Sequence, residues 1–186
     1  MNNYCRKLNL PSEIETKDFP PKDYEDRVFM IRPPWSKISK NLHKFLDQLN
    51  LFVMHSEIFY TPPQQGIYIH VDTNKFSNMT KLNFCICNPF SMMNWFEIKK
   101  EYRDKNHLKQ TMLTTNYLKY EPNEVETILH SECVAGWYIV NAGIPHNSTN
   151  FTNEQRWTLS YVLKDRETHD YLQFDKALEI FKNYIV

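Results

Sequence analysis

His70, Asp72, His146, Arg156 and Thr158 are the residues of this chain whose types and spacing could do chemistry. His70 and Asp72 stand two apart in the alternating run Gly66-Ile67-Tyr68-Ile69-His70-Val71-Asp72. In a strand, residues i and i+2 point the same way. Ile67, Ile69 and Val71 then form an aliphatic face suited to a core, and Tyr68, His70 and Asp72 occupy the other. Burying an imidazole beside a carboxylate is costly unless something satisfies them. A metal ion does so; a His–Asp hydrogen bond on a solvated face is the plainer alternative. His146 lies 76 positions after His70, far enough for a sheet to return, and Arg156 follows ten positions later. Two imidazoles and one carboxylate suit non-haem Fe(II), with coordination positions left open for substrate and dioxygen, and zinc uses the same donors. Arg156 adds a permanently charged fork that meets a carboxylate at two points, and the Thr158 hydroxyl can join it. These residues read as a metal beside an anion socket.

The order His-x-Asp, distal His, then Arg-x-Thr resembles the Fe(II)- and 2-oxoglutarate-dependent oxygenases. Lys81-Leu82-Asn83-Phe84, and Val140-Asn141 ahead of Pro145-His146, add to the resemblance, which spans residues 58–163. It is nearest to small aspartyl/prolyl hydroxylase-like members of phage or marine bacterial type. The resemblance implies a mainly β fold, a double-stranded β-helix of the jelly-roll or cupin-like kind with flanking α-helices. It implies His70, Asp72 and His146 as iron ligands and 2-oxoglutarate as cosubstrate, bound to iron through its 1-carboxylate and 2-keto oxygens. Arg156, helped by Thr158, would hold the 5-carboxylate, with Tyr68 and Asn83 close by. The activity implied is hydroxylation of a prime substrate with release of succinate and CO2. The arginine motif more often ends in serine in this family, and Thr158 keeps the hydroxyl. Two other readings stand beside this one: a non-catalytic jelly-roll module with a retained metal or anion site, and a metal-dependent cupin enzyme that does not use 2-oxoglutarate. A cupin isomerase has no general need for an arginine ten residues after its last ligand. Read alone, Arg156 is also an ordinary strand arginine paired to an acid, and Tyr68 and Asn83 are structural.

The elements that must position these residues are mostly short strands. Alternation and turn signals predict strands over 51–60, 66–72, 81–87, 95–98, 111–120, 126–131, 137–141, 144–147 and 156–163, with a further short one at 27–31. In 156–163, Arg156, Thr158 and Ser160 share one face and Trp157, Leu159 and Tyr161 the other. Many short strands in a chain of this size suggest a sandwich or barrel. Ser36 is the expected N-cap of an amphipathic helix of about four turns carrying Ile38, Leu42, Phe45, Leu46 and Leu49. Phe174, Ala177, Leu178, Phe181 and Ile185 give a C-terminal helix. Residues 1–34 are expected to wrap the surface, 73–80 and 148–154 to be polar turns, and 99–110 to be an exposed loop or frayed helix. The segments 73–80 and 99–110 are the ones placed to cover the pocket. A single domain is expected over 1–186: an N-terminal extension and supporting helix over 1–50, a jelly-roll core over 51–163 and a C-terminal helix over 164–186.

Composition removes several classes. Among 186 residues, Lys plus Arg and Asp plus Glu are both 22, so no basic footprint for duplex nucleic acid is present. A small molecule or a peptide side chain is the expected prime substrate ahead of nucleic acid, with no membrane partner. Three glycines cannot supply a P-loop or a dinucleotide fingerprint. No apolar run is long enough for a membrane span or a signal peptide, so a cytoplasmic protein is expected. Cys85 and Cys87 share a strand face without a second pair at zinc spacing, and read as reduced core or pocket thiols. Trp95, Trp137 and Trp157 read as core. His43, His55, His107, His130 and His169 have no partner at metal spacing; His130 competes with His146 but lacks the arginine after it.

Overall fold

The structure is a computed structural model that describes residues 4–11, 29–31, 39–72, 79–87, 90–110 and 116–186. Its regular elements are β1 (Cys5–Leu8), β2 (Phe29–Ile31), α1 (Lys40–Gln48), β3 (Leu51–Thr61), β4 (Ile69–Val71), β5 (Thr80–Ile86), β6 (Ser91–Ile98), β7 (Leu108–Gln110), β8 (Asn116–Tyr120), β9 (Val125–Glu132), β10 (Gly136–Asn141), β11 (His146–Asn150), β12 (Arg156–Asp165) and α2 (Phe174–Ile180). The strands form two six-stranded sheets, in the orders β1-β10-β5-β12-β3-β2 and β7-β8-β4-β11-β6-β9, and every pairing between them is antiparallel. Taken in chain order, β3, β4, β5 and β6 alternate between the first and second sheets. Strands β9, β10, β11 and β12 alternate back again. That path is a double-stranded β-helix, the jelly-roll expected from the sequence. The β7–β8 hairpin extends the second sheet beyond β4, and β1 and β2 flank the first.

Strand parity divides core from cavity. In β12, Trp157, Leu159, Tyr161 and Leu163 face outward into an apolar cluster with Leu42, Phe45 and Leu46 of α1 and Phe174 and Ala177 of α2. Arg156, Thr158 and Ser160 face the space between the sheets. The largest apolar core therefore lies outside the sandwich, between the first sheet and its helices. Pairing of β3 with β12 slips where His55 meets Val162 and Val53 meets Leu163, leaving Met54 as an extra residue. Such a bulge reverses the phase of the strand. Leu51 and Val53 before it, and Ile58 and Tyr60 after it, all reach the outer core, while Phe59 lines the interior. Ile69 and Val71 of β4 join Phe96, Tyr120 and Val125 in a smaller cluster on the second sheet.

Several expectations need correction. The helix starts at Lys40 and is capped by Ser39, whose hydroxyl accepts from the Asn41 N–H, not by Ser36. Residues 5–8, expected to wrap the surface, pair with β10 as an edge strand. The 66–72 run is a strand only over Ile69–Val71. Ahead of it Gly66 bridges Thr149 and the Ile67 N–H bonds the Ser148 carbonyl, so the alternation breaks before β4. A Cβ at Gly66 would sit 3.2 Å from that carbonyl oxygen, which explains the glycine. Ser148–Asn150 belong to β11 rather than to a turn.

The 99–110 segment is also tied down. It holds a 3-10 turn at Lys100–Tyr102 and β7, and buried His107 packs against Tyr120 with ring centroids 4.3 Å apart. Lys105 and His107 both pair with buried Glu124, the latter at 3.5 Å. None of its residues lines the interior cavity. The expected cover at 73–80 falls mostly outside the described residues; of its last two, Met79 bridges Gln173 and Thr80 begins β5. No described helix is long and apolar enough to cross a membrane.

Leu163 is fully buried in the outer apolar cluster that also contains residues of both helices. Leu163→Ala is expected to destabilise the protein by about 2–5 kcal/mol, the usual range for truncating a core leucine. Urea unfolding followed by circular dichroism measures it.

Candidate metal centre

β4 and β11 lie side by side, and their register pairs His146 directly with His70. Both strands are short, and each imidazole is fixed by its own backbone. His70 Nδ1 lies 2.9 Å from the Tyr68 carbonyl and His146 Nδ1 2.8 Å from the Ile144 carbonyl. A carbonyl only accepts, so each Nδ1 carries the proton and each Nε2 of the neutral ring presents a lone pair. Those two Nε2 atoms converge on Asp72, at 3.3 Å from Oδ1 for His70 and 3.8 Å from Oδ2 for His146. One ligand atom from each residue falls within 4.8 Å of the others. The turn before β11 joins the set: the Asp72 N–H bonds the Ala142 carbonyl, and Asn141 Oδ1 accepts from the Gly143 N–H. Asn141 thus shapes the turn that delivers His146.

The three residues line a cavity of about 430 Å³ of empty space, counted with its mouth, together with Phe59, Ile67, Lys81, Asn83, Met93, Arg156, Thr158 and Ser160. Arg156 is 2% exposed. Its Nη1 meets Ser148 Oγ at 3.4 Å, its Nη2 meets Cys133 Sγ at 3.9 Å, and its buried Nε has no partner. Among the described residues no carboxylate pairs with it. Its one ionisable contact, Cys133, is a long single-point contact to sulfur that leaves the fork unfilled. The orphaned Nε donor and a guanidinium with no carboxylate partner among the described residues fit a bound carboxylate.

Asn83 lines the cavity, but its Oδ1 already accepts from Ser160 Oγ at 2.7 Å. Thr158 Oγ1 is 3.7 Å from Cys85 Sγ. Tyr68 departs from its expected place. Because the strand begins only at Ile69, its ring sits 44% exposed outside the cavity lining, edge-on to His70 at 5.4 Å and 5.5 Å from Tyr117. Cys85, Cys87 and Cys133 are free, buried thiols, with Cys87 donating to the Cys133 carbonyl. His130 is engaged with Asn94 at 2.6 Å, away from the triad.

Two charged residues escaped the sequence reading. Lys81 Nζ lies 3.0 Å from Asp72 Oδ2 and 2.6 Å from Glu57 Oε2; Lys81 and Glu57 are buried and Asp72 is nearly so. His55, given no role from sequence, stands 3.4 Å from the other Glu57 oxygen. A lysine sharing the strand face of Asn83, Cys85 and Cys87 was the available signal. Glu57 gave none, because its phase depends on the bulge.

Electrostatics follow the contacts. Burial works to raise the Asp72 carboxyl, but Lys81 first, and then its neighbours His70 and His146, hold it well below the usual range. Burial likewise opposes ionisation of Glu57, and Lys81 and His55 bring it down to about 2. Burial tends to lower Lys81, yet Asp72 and Glu57 keep it above its ordinary value. Burial, with His70 beside it, lowers His146 to about 4, which keeps the ring in the neutral form that a metal needs.

No family model matches the chain, and no curated protein matches it. Solved structures do. E. coli ycfD is similar over 63% of this chain and 27% of its own, at 16% identity and TM-score 0.39. SnoK, a non-heme alpha ketoglutarate dependent carbocyclase from nogalamycin biosynthesis, is similar over 77% of this chain and 68% of its own, at 13% identity and TM-score 0.47. HygX from Streptomyces hygroscopicus, solved with nickel and 2-oxoglutarate bound, is similar over 81% of this chain and 74% of its own, at 10% identity and TM-score 0.44. The chain spans about a quarter of the ycfD chain and 38% of the EvdMO1 chain. Likeness at this level transfers no activity and no residue role.

Glu57 links the cavity to acid stability. Its folded value lies below the ordinary carboxylate value of 4.5, so its ionised form stabilises the fold fully above that pH. The contribution, about 3 kcal/mol from the size of the shift, is lost as pH falls from 4.5 towards 2. Glu57→Gln is expected to be less stable at neutral pH and to show a shallower fall in stability across that window. Chemical denaturation at a series of pH values measures both.

Proposed function

We propose that this chain is an Fe(II)- and 2-oxoglutarate-dependent oxygenase that hydroxylates a small molecule or a peptide side chain. The observation that carries the reading is Arg156: a buried guanidinium with an orphaned donor, opening on the same cavity as two imidazole Nε2 atoms and a carboxylate. His70, Asp72 and His146 would hold the metal. Bound together, iron, 2-oxoglutarate and dioxygen supply oxidative decarboxylation to succinate and CO2 coupled to oxidation of a C–H bond.

The chain's own residues would do the rest. Arg156 would grip the 5-carboxylate in two-point fashion, with the Thr158 hydroxyl beside it. Asn83 and Ser160, already hydrogen-bonded to each other, would form a polar wall for the cosubstrate. Phe59, Ile67 and Met93 would supply apolar walls that exclude water. Charge supports the same ligand pair. Hydrogen bonds from Cys85 and Cys87, with Arg156 beside them, hold the Cys133 thiol below its usual range; as long as it keeps its proton, Arg156 and Lys81 balance Asp72 and Glu57, and a divalent cation brings two excess positive charges into the cavity. A dicarboxylate dianion removes them. A metal centre working without such a cosubstrate leaves Arg156 without a use.

Two outcomes are expected. The wild-type protein should bind one Fe(II) per chain, and Asp72→Ala should greatly weaken that binding while keeping the fold; equal metal content by mass spectrometry would remove the centre. Anaerobic calorimetry should show Arg156→Ala binding 2-oxoglutarate more weakly by about 2–5 kcal/mol, the cost of unpairing a buried charge. Arg156→Lys should recover only part, since a point charge cannot reproduce the fork. Equal cosubstrate affinity in all three proteins would sink the assignment, and succinate release coupled to a trial substrate would establish turnover.

A further inference from the structure

Lys81 and Glu57 are given no part in holding the cosubstrate in the function proposed above, yet Lys81 lines the same cavity and contacts Asp72. The ammonium of Lys81 lies between two carboxylates, at 3.0 Å from Asp72 and 2.6 Å from Glu57. His55 holds the far oxygen of Glu57. An ammonium donates three bonds and accepts none. The Asp72 oxygen it engages is thereby partly withdrawn from a metal, and Glu57 is kept on the far side of a positive charge. Glu57 is outside the converging ligand set of His70, Asp72 and His146, but it is a buried carboxylate that the Met54 bulge turns inward, joined to Asp72 through the Lys81 ammonium. Two imidazoles and two carboxylates would make a site with one position fewer for exogenous ligands.

We infer that Lys81 is a positioning residue that keeps the centre three-liganded, holding Asp72 through Oδ2 and barring Glu57 from becoming a fourth protein ligand. The inference rests on the metal role proposed for Asp72. It makes the two charges of the Lys81–Glu57 pair act in opposite directions. Without Lys81, two carboxylates face one another and draw a divalent cation in, while the dianionic cosubstrate meets added negative charge and a filled position. Without Glu57, the Lys81 charge is left over beside the cation and opposes it. Removing both restores the balance. A pair that only packs the interior would weaken binding in every variant, and most in the double one.

The test uses the full chain with Co(II) as probe and 2-oxoglutarate as second ligand. Calorimetry gives both affinities, the visible absorption of Co(II) reports coordination, and circular dichroism checks the fold. Lys81→Met is expected to bind Co(II) about tenfold or more tighter and 2-oxoglutarate about tenfold or more weaker, the scale of one unit charge at contact range under partial screening. Its Co(II) spectrum should differ from wild type. Glu57→Gln should bind Co(II) about tenfold weaker on the same scale. Lys81→Met/Glu57→Gln should return both constants to within about threefold of wild type, the tolerance of an additive cycle. Shifts of the same sign in both single variants, or a double variant no better than the worse single one, would overturn the inference. If Lys81→Met does not fold, the loss in Glu57→Gln and its recovery in the double variant carry the test, and no recovery overturns it. Asp72→Ala, measured alongside, separates the two levels. Co(II) affinity unchanged by Asp72→Ala removes the metal centre and this inference with it. Co(II) lost in Asp72→Ala but unchanged in all Lys81 and Glu57 variants removes the role of Lys81 alone.

Discussion

A guanidinium, an ammonium and two carboxylates share the space between the two sheets, where the effective cost of burying an unpaired ion is several kcal/mol. Lys81 answers to Asp72 and Glu57 at contact distance. Arg156 answers to a serine hydroxyl, a distant sulfur and nothing at Nε. The asymmetry matters more than the count of charges. One cation has two carboxylates at contact distance, and the other has no carboxylate partner among the described residues. A fold that only needed stability would carry apolar residues of similar volume at both positions, which in other buried ion pairs is neutral or better.

Keeping a polar interior has consequences for the rest of the fold. The apolar core that stabilises the chain cannot lie mainly between the sheets, and it does not. It lies on the outer face of the first sheet, where Tyr60, Leu82, Ile139, Leu159 and Tyr161 meet α1 and α2. The helices that flank the jelly-roll are therefore part of its stability and not an appendage. A single bulge at Met54 keeps this arrangement in phase. Without it, the strand that sends Leu51 and Val53 into the outer core would send Glu57 there as well.

How far this was legible in the sequence varies residue by residue. The parity of Arg156–Ser160 was plain, because each outward residue is large and apolar and each inward one is polar. His70 and Asp72 were legible for the same reason, even though the strand carrying them proved shorter than its alternating pattern. Tyr68 was misplaced by that difference: alternation assumes a continuous strand, and the chain ahead of Ile69 instead follows the Ser148 carbonyl. Glu57 and Lys81 could not be paired from sequence, since one depends on a bulge that leaves no mark in composition and the other on a contact between non-adjacent strands. The β1 edge strand was hidden too. Its residues 5–8 are Cys-Arg-Lys-Leu, whose fit becomes visible only against β10.

The division of labour between the sheets also couples ligand binding to stability. The imidazoles come from β4 and β11 of the second sheet, and Arg156 and Thr158 come from β12 of the first. The strand pairings among the described residues all lie within one sheet or the other, so a metal held on one side and a dicarboxylate that touches both would tie them together. Ligands that bind only the folded state stabilise it by mass action, about 2.7 kcal/mol at a concentration one hundred times the dissociation constant. If Arg156 holds a carboxylate as proposed, the chain starts below its attainable stability and would regain it on binding that anion. On that reading the same guanidinium would also discriminate among ligands, because a neutral isostere would remove none of the cost of its burial.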